Sequence, residues 1–183
     1  MNIRFAGFGG QGVVLAGYVL GQAGIHDGHD ALQTQSYGSE SRGGACRSDV
    51  IISEGQVLEL APSSLDVLVA MSQPALDKYF PNLRKDGLLI YDSDLAKAGD
   101  CRVRAFGLPA TDMAHKTFGR EVFANAIMLG CLVGLTQIAS RESVLRSIAE
   151  SVPPKTVETN LEAFEQGVER GVEARRQVGQ ASR

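Results

Sequence analysis

Apolar residues recur along this chain with two periods, and the change from one to the other lays out the elements. Ile3 to Ala6 form a short apolar run, and after a glycine-rich turn Val14, Leu15, Tyr18, Val19 and Ala23 fall at helical spacing over residues 13–25. A strand, a turn and a helix therefore open the chain. Residues 29–35, DVIIS at 49–53, DVLVAM at 66–71 and GLLIY at 87–91 predict four more strands. The last three are apolar without clean alternation, the pattern of strands covered on both faces of a parallel sheet. Residues 74–84 predict a helix with Pro74 in its first turn, where the missing N–H costs little. RVRAFGL at 102–108 alternates charged and apolar positions, as an edge strand does. Helical patterns then take over at 110–118, 122–139 and 143–150. A final helix over 155–176 places Val157, Leu161, Phe164, Val168 and Val172 on one stripe. That stripe must be covered, by this domain or by a partner subunit.

Alternating β and α units followed by a helical C-terminal third predict an α/β fold: a doubly wound, mostly parallel sheet opened by a β–glycine turn–α unit. A length of 183 residues suits one domain, here residues 1–176, with 177–183 as a frayed tail. At 44% hydrophobic and 21% charged residues the chain has the balance of a globular protein and not of a disordered one. A formal charge of −3 gives no basic excess for nucleic acid. The N-terminus lacks the h-region and cleavage site of a secretory signal, so a cytoplasmic location is expected. The most apolar window, Val122 to Leu135, is shorter than the roughly 20 residues of a membrane span and contains Asn125. It predicts a buried helix.

Candidate chemistry concentrates in two glycine-rich segments. Gly7, Gly9 and Gly12 satisfy G-x-G-x-x-G directly after a strand and at the start of a helix. Such a turn brings an anion close to the amides at the positive end of the helix. It is also compatible with a purely structural tight turn, with a phosphate-bearing ligand, or with a dinucleotide. The dinucleotide reading expects an acid at the end of the second strand, where Thr34, Gln35 and Ser36 stand instead. The turn also carries an extra Gly10 and Gln11, whose amide could point to a ligand or an interface. The second segment, SYGSESRGG at 36–44, sets Tyr37, Glu40 and Arg42 among glycines that include Gly43 and Gly44. Arginine offers a planar fork for carboxylate or phosphate, and the glycines allow close backbone approach. Ligands in open α/β sheets bind outside the carboxyl ends of strands, where both segments are expected to lie.

No catalytic residues emerge: there is no GxSxG, no local Ser/His/Asp signature and no paired carboxylates in a cleft. Asp92 and Asp94 follow a strand and read as a solvated turn, with a bound cation as the alternative. Cys46, Cys101 and Cys131 are scattered without CxxC, and His26, His29 and His115 show no tight metal spacing. Any iron–sulfur cluster this protein works with is expected on another chain.

GFGGQG at 7–12, TQSYGSESRGGACRSDVIIS at 34–53, DVLVAMSQPAL at 66–76, LLIYDS at 88–93 and Asn125 ahead of Leu129 and Gly130 together resemble the gamma subunit of the 2-oxoacid:ferredoxin oxidoreductases. The likeness spans residues 1–165, and TQSYGxExRGG is most similar to the 2-oxoglutarate branch, although Ser39 stands where that motif commonly has proline. The resemblance implies an accessory subunit of a complex that converts 2-oxoglutarate, coenzyme A and oxidised ferredoxin to succinyl-CoA, carbon dioxide and reduced ferredoxin. It places thiamine diphosphate, magnesium and iron–sulfur clusters on alpha and beta catalytic subunits, with no cofactor held by this chain alone. By the same resemblance Gly7, Gly9, Gly10, Gln11, Gly12, Tyr37, Glu40, Arg42, Gly43 and Gly44 line the catalytic interface or the coenzyme A path. A gamma subunit acting on another 2-oxoacid, and a free-standing dinucleotide-binding protein, are the alternatives. Neither nucleic acid nor membrane is expected as a partner.

Overall fold

A computed structural model describes residues 1–36, 45–55, 57 and 60–181. The elements in chain order are β1 (Asn2–Phe8), α1 (Val13–His26), β2 (Asp30–Ser36), β3 (Ala45–Ser53), β4 (Leu65–Ala70), α2 (Gln73–Tyr79), β5 (Leu83–Asp92), β6 (Arg104–Leu108), α3 (Ala110–Phe118), α4 (Ala124–Thr136), α5 (Arg141–Ser151) and α6 (Val157–Ala181). Short 3₁₀ turns join several of them.

The six strands form one sheet in the order β2-β3-β1-β4-β5-β6. From β1 to β6 the pairings are parallel. DVIIS breaks the pattern: β3 runs antiparallel to both β1 and β2. The expectation of a parallel setting for that run is corrected, for two reasons. Burial on both faces makes a strand uniformly apolar whatever its direction. In addition, β3 starts at Ala45, so only residues 37–44 separate it from β2, too few for the dozen or more residues a parallel crossover needs. The helix expected over 74–84 is also corrected. It ends at Tyr79, where Pro81 in the next turn has no N–H to continue the ladder, and Leu83 and Arg84 already belong to β5.

Two cores sandwich the sheet. Ile3, Phe5, Val67, Val69 and Ile90 face α1 and α4, with Phe164 of α6 in the same cluster. Ala6, Leu68, Ala70 and Leu89 face the other way, against Ala75, Leu76 and Tyr79 of α2. The first layer is thick and the second is one short helix. The α6 stripe packs within the chain, on α4, with Phe164 fully buried. The two helices run parallel and touch backbone to backbone: a Cβ on Gly130 or Gly134 would overlap the carbonyls of Phe164 or Val168, and one on Gly167 or Gly171 those of Ile127 or Cys131. The helix α6 continues to Ala181, beyond the end of the stripe. No helix among the described residues is long and apolar enough to cross a membrane.

Candidate functional site

The glycine turn leaves β1 at Phe8 and enters α1 at Val13. Its backbone is held from inside. Gln11 donates from Nε2 to the Met71 carbonyl at 2.8 Å and accepts at Oε1 from the Phe8 N–H at 2.6 Å. That amide thus straps the ends of β1 and β4 together, and Gly7 is where Gln11 lies close against the strand. Gly12 carries a φ of 73° and accepts at its carbonyl from Asn125 Nδ2 at 3.2 Å. A side chain at 12 would be strained by the backbone and would overlap the Asn125 amide. Asn125 is 4% exposed and is the polar break in an otherwise apolar α4.

Gly9 and Gly10 are exposed, by contrast, and around Gly9 a Cβ would meet, among the described residues, only Cys46 Sγ at 3.9 Å. The N-cap of α1 has no side-chain cap, and no acidic residue sits in the first turn. The positive end of the helix therefore faces out across two bare glycines.

Phe8 pairs with Ala45, Gly7 with Cys46, and Ser36 with Arg47. Ser36 and Ala45, the described residues that flank 37–44, thus lie at the same end of the sheet as the glycine turn. Tyr37, Glu40, Arg42, Gly43 and Gly44 themselves lie outside the described residues. Gly7, Gly9, Gly10, Gln11 and Gly12 form one turn, within which Gln11 is occupied with its own backbone.

The sheet order bears on the dinucleotide reading. The end of β2, where the ribose-binding acid would stand, is two strands from β1, about 10 Å at ordinary strand spacing, because β3 lies between them. Neither the residue type at 34–36 nor its place fits.

Sequence reasoning missed a second feature beside this turn. Arg4 and Asp49 face each other across β1 and β3, with Arg4 Nε and Nη2 donating to the two carboxylate oxygens at 2.5 and 3.0 Å, and both side chains buried. Arg47 Nε reaches the same carboxylate at 3.5 Å. The ring of Tyr79 lies under Arg4 Cζ at 4.8 Å, Lys78 Nζ at 5.4 Å and Arg47 Cζ at 5.9 Å. A lone charge in each of two apolar strands, IRFA and SDVII, is the signal that was available, since a buried charge requires a partner.

The solvated-turn expectation holds for Asp94, which is exposed in the turn after β5, but not for Asp92, which is buried; both carboxylates accept from the first amides of α3. Asp92 is fully buried and accepts from the Thr111 hydroxyl at 2.6 Å, the Thr111 N–H at 3.1 Å and the Asp94 N–H at 3.1 Å. Asp94 accepts from the Asp112 N–H at 2.8 Å. Burial pushes the Asp92 carboxyl above the ordinary carboxylate range, against the pull of those hydrogen bonds. At the other end of the sheet Asp27 ties α1 to α5. Burial acts to raise its carboxyl, but hydrogen bonds from the Ser140 and Ser143 hydroxyls and the Ser140 N–H hold it below the ordinary value. Burial pushes the Cys131 thiol up to about 12. Among the described residues no three His, Cys, Asp or Glu side chains are placed to hold a metal ion.

The family profile described as pyruvate ferredoxin/flavodoxin oxidoreductase matches residues 2–170. The chain is 45% identical to the 2-oxoglutarate synthase subunit KorC of Methanothermobacter thermautotrophicus, over 92% of this chain and 93% of that protein. It is 43% identical to the subunit of the same name from Methanocaldococcus jannaschii, over 92% of each. Among solved structures, the gamma subunit of a keto/oxoacid ferredoxin oxidoreductase from Geobacter sulfurreducens superposes with a TM-score of 0.84 at 41% identity, covering 94% of this chain and 98% of that one.

Proposed function

The chain belongs to the pyruvate ferredoxin/flavodoxin oxidoreductase family, and on that footing we propose that it is the accessory gamma subunit of a thiamine diphosphate-dependent 2-oxoglutarate:ferredoxin oxidoreductase. The reaction is oxidative decarboxylation of 2-oxoglutarate onto coenzyme A, giving succinyl-CoA and carbon dioxide, with the electrons passed to ferredoxin. The observation that carries this reading is the match to 2-oxoglutarate synthase subunits along nine-tenths of both chains.

The residues present do not fit the cofactors of that reaction. Cys46 on β3, Cys101 in the connection between β5 and β6 and Cys131 on α4 are free thiols, and the described residues offer no metal-ligand group. Thiamine diphosphate, magnesium and iron–sulfur clusters are therefore assigned to the alpha and beta subunits. What this chain contributes is shape and backbone polarity. The exposed Gly9 and Gly10 let a neighbouring backbone or an anionic group approach the uncapped start of α1. Gln11 and Asn125 keep that turn rigid by bonding it to β4 and α4. Arg42, with Tyr37 and Glu40 between glycines in the sequence that joins β2 to β3, is assigned as the charged fork of the same interface.

Gly9→Val tests this reading. Among the described residues Gly9 has room for a Cβ, and its φ lies outside the left-handed region, so the isolated chain should keep its melting temperature. The reconstituted complex should lose about tenfold or more in 2-oxoglutarate-dependent ferredoxin reduction, because bulk now stands in a contact that positions the reaction. Full activity in the variant complex, or failure of the wild-type chain to co-purify with a thiamine-binding subunit, would overturn it. Pyruvate assayed in parallel decides between substrates.

A further inference from the structure

The two faces of the sheet are covered unequally. Helices α1, α3 and α4 cover one face, whereas α2 and the turn after it lie over the other at β1 and β4. Beyond α2, at β2 and β3, Leu32 and Thr34 are half-buried and Ser36 is exposed. The Arg4–Asp49–Tyr79 cluster lies at the border of that area, over which the described residues place no further helix. We propose that this border, with Arg47 and Lys78 flanking Tyr79, is a docking surface for a carboxylate-bearing segment of a partner subunit. The proposal rests on the reading of the chain as one subunit of a complex.

Charge is the first support. A single carboxylate, Asp49, serves two arginines, and its two oxygens are taken by Arg4 before Arg47 reaches one of them at 3.5 Å. Lys78 is exposed and has no carboxylate within salt-bridge distance among the described residues. The neighbouring Asp77 instead accepts from Gln73 Nε2 at 2.8 Å. Among the described residues, the three cations on Tyr79 thus have one carboxylate, Asp49, within salt-bridge distance, in a chain whose net charge is −3. The local excess stands against the overall charge, and an acidic partner would neutralise it.

Rigidity is the second. Arg4 and Asp49 are fixed by their own bidentate bonds, and Tyr79, 6% exposed, is packed against Leu76 and Ala75 in the core. Arg47 and Lys78 therefore stand on a preorganised base and lose little freedom on binding. Arginine and tyrosine set on a buried support are the residue types that anchor protein interfaces.

Position is the third. Arg47 pairs with Ala6 on one side and Ser36 on the other, within two residues of Phe8 and the glycine turn. A partner segment seated on Arg47 and Lys78 would continue onto Gly9 and Gly10, so one subunit could cover both features. A protein carboxylate is favoured over a free anion because the surface is a sheet face and a helix flank and the family works as assembled subunits.

A zero-length carbodiimide, which joins an amine to a carboxylate only when they touch, tests the proposal on the intact complex. Mass spectrometry should find Lys78 linked to an Asp or Glu of another subunit. K78R should abolish that link while the complex stays whole. R47E/K78E should weaken retention of this chain by about tenfold or more at low salt, with its isolated melting temperature preserved. Should that double variant fold poorly, R47Q/K78Q takes its place with the same expected direction. A complex that assembles normally and yields no Lys78 link overturns the proposal and leaves the subunit assignment standing. So does a charge variant that assembles normally and loses only coenzyme A affinity, which would assign the patch to phosphates. A chain that never co-purifies with catalytic subunits overturns both.

Discussion

Gly12 and Asn125 lock each other in place. The glycine carbonyl accepts from the asparagine amide, and the φ of 73° is open to glycine at little cost. Gly12→Ala adds left-handed strain of about 1–3 kcal/mol and a collision with Asn125 of similar size. A urea midpoint corresponding to about 3 kcal/mol lost is expected, and the G12A/N125A pair should recover only the steric share. An unchanged midpoint would show that the turn does not need its glycine. Two carboxylates predict opposite pH behaviour. The folded carboxyl of Asp27 titrates below its unfolded value, so its contribution is present above the ordinary carboxylate range and lost as pH falls through the folded value. The folded carboxyl of Asp92 titrates above its unfolded value, so its contribution is fullest below that range and lost as pH rises through the folded value. In thermal melts between pH 7 and 3, the gap between wild type and Asp27→Asn should shrink toward acid, and the gap to Asp92→Asn should widen.

At the scale of elements, the contact between α4 and α6 is built from glycines as much as from the apolar stripe. Gly130 and Gly134 on α4, and Gly167 and Gly171 on α6, each leave space that the facing backbone fills. Gly167→Ala should cost about 3 kcal/mol, because the obstacle is the Ile127 carbonyl and not a movable side chain. Gly21→Ala, in the interior of α1 with its nearest neighbour Val50 at 3.9 Å, should gain about 0.5–1 kcal/mol from helix propensity. Denaturant melts of the two variants should move in opposite directions. The stripe from Val157 to Val172 was legible in the sequence because it is made of side chains. The glycine pairs were not, although their spacing of four was equally visible, because counting apolar positions gives no weight to residues that pack by having no side chain. The strands were legible as runs, but their directions were not. Direction depends on the length of the connection, and the start of β3 at Ala45 lay inside a stretch that looked polar.

Across the whole molecule, local pattern located the glycine turn and the end of the sheet that carries it, while the cationic platform was invisible because it joins residues 4, 47, 78 and 79 from three elements. Such a site exists only once β3 folds back beside β1 and α2 closes over them. That topology divides the surface into a thickly covered face and a thinly covered one, and it predicts where assembly is felt. Hydrogen exchange on the free chain should be slowest in β1 and β4, the central strands of the sheet, and faster at the edge strands β2 and β6. In the complex, added protection should gather at Gly9–Gly12, at Ser36 and Ala45 and along α2, where bare glycines, the ends of the β2–β3 connection and the cationic platform meet. The outer helix α5, already tied to α1 through Asp27 and to α6 through Arg141 and Glu165, should change little. Protection that fell on α5 and α6 and spared α2 would reverse the assignment of faces, and the subunit would have to be docked by its thick side.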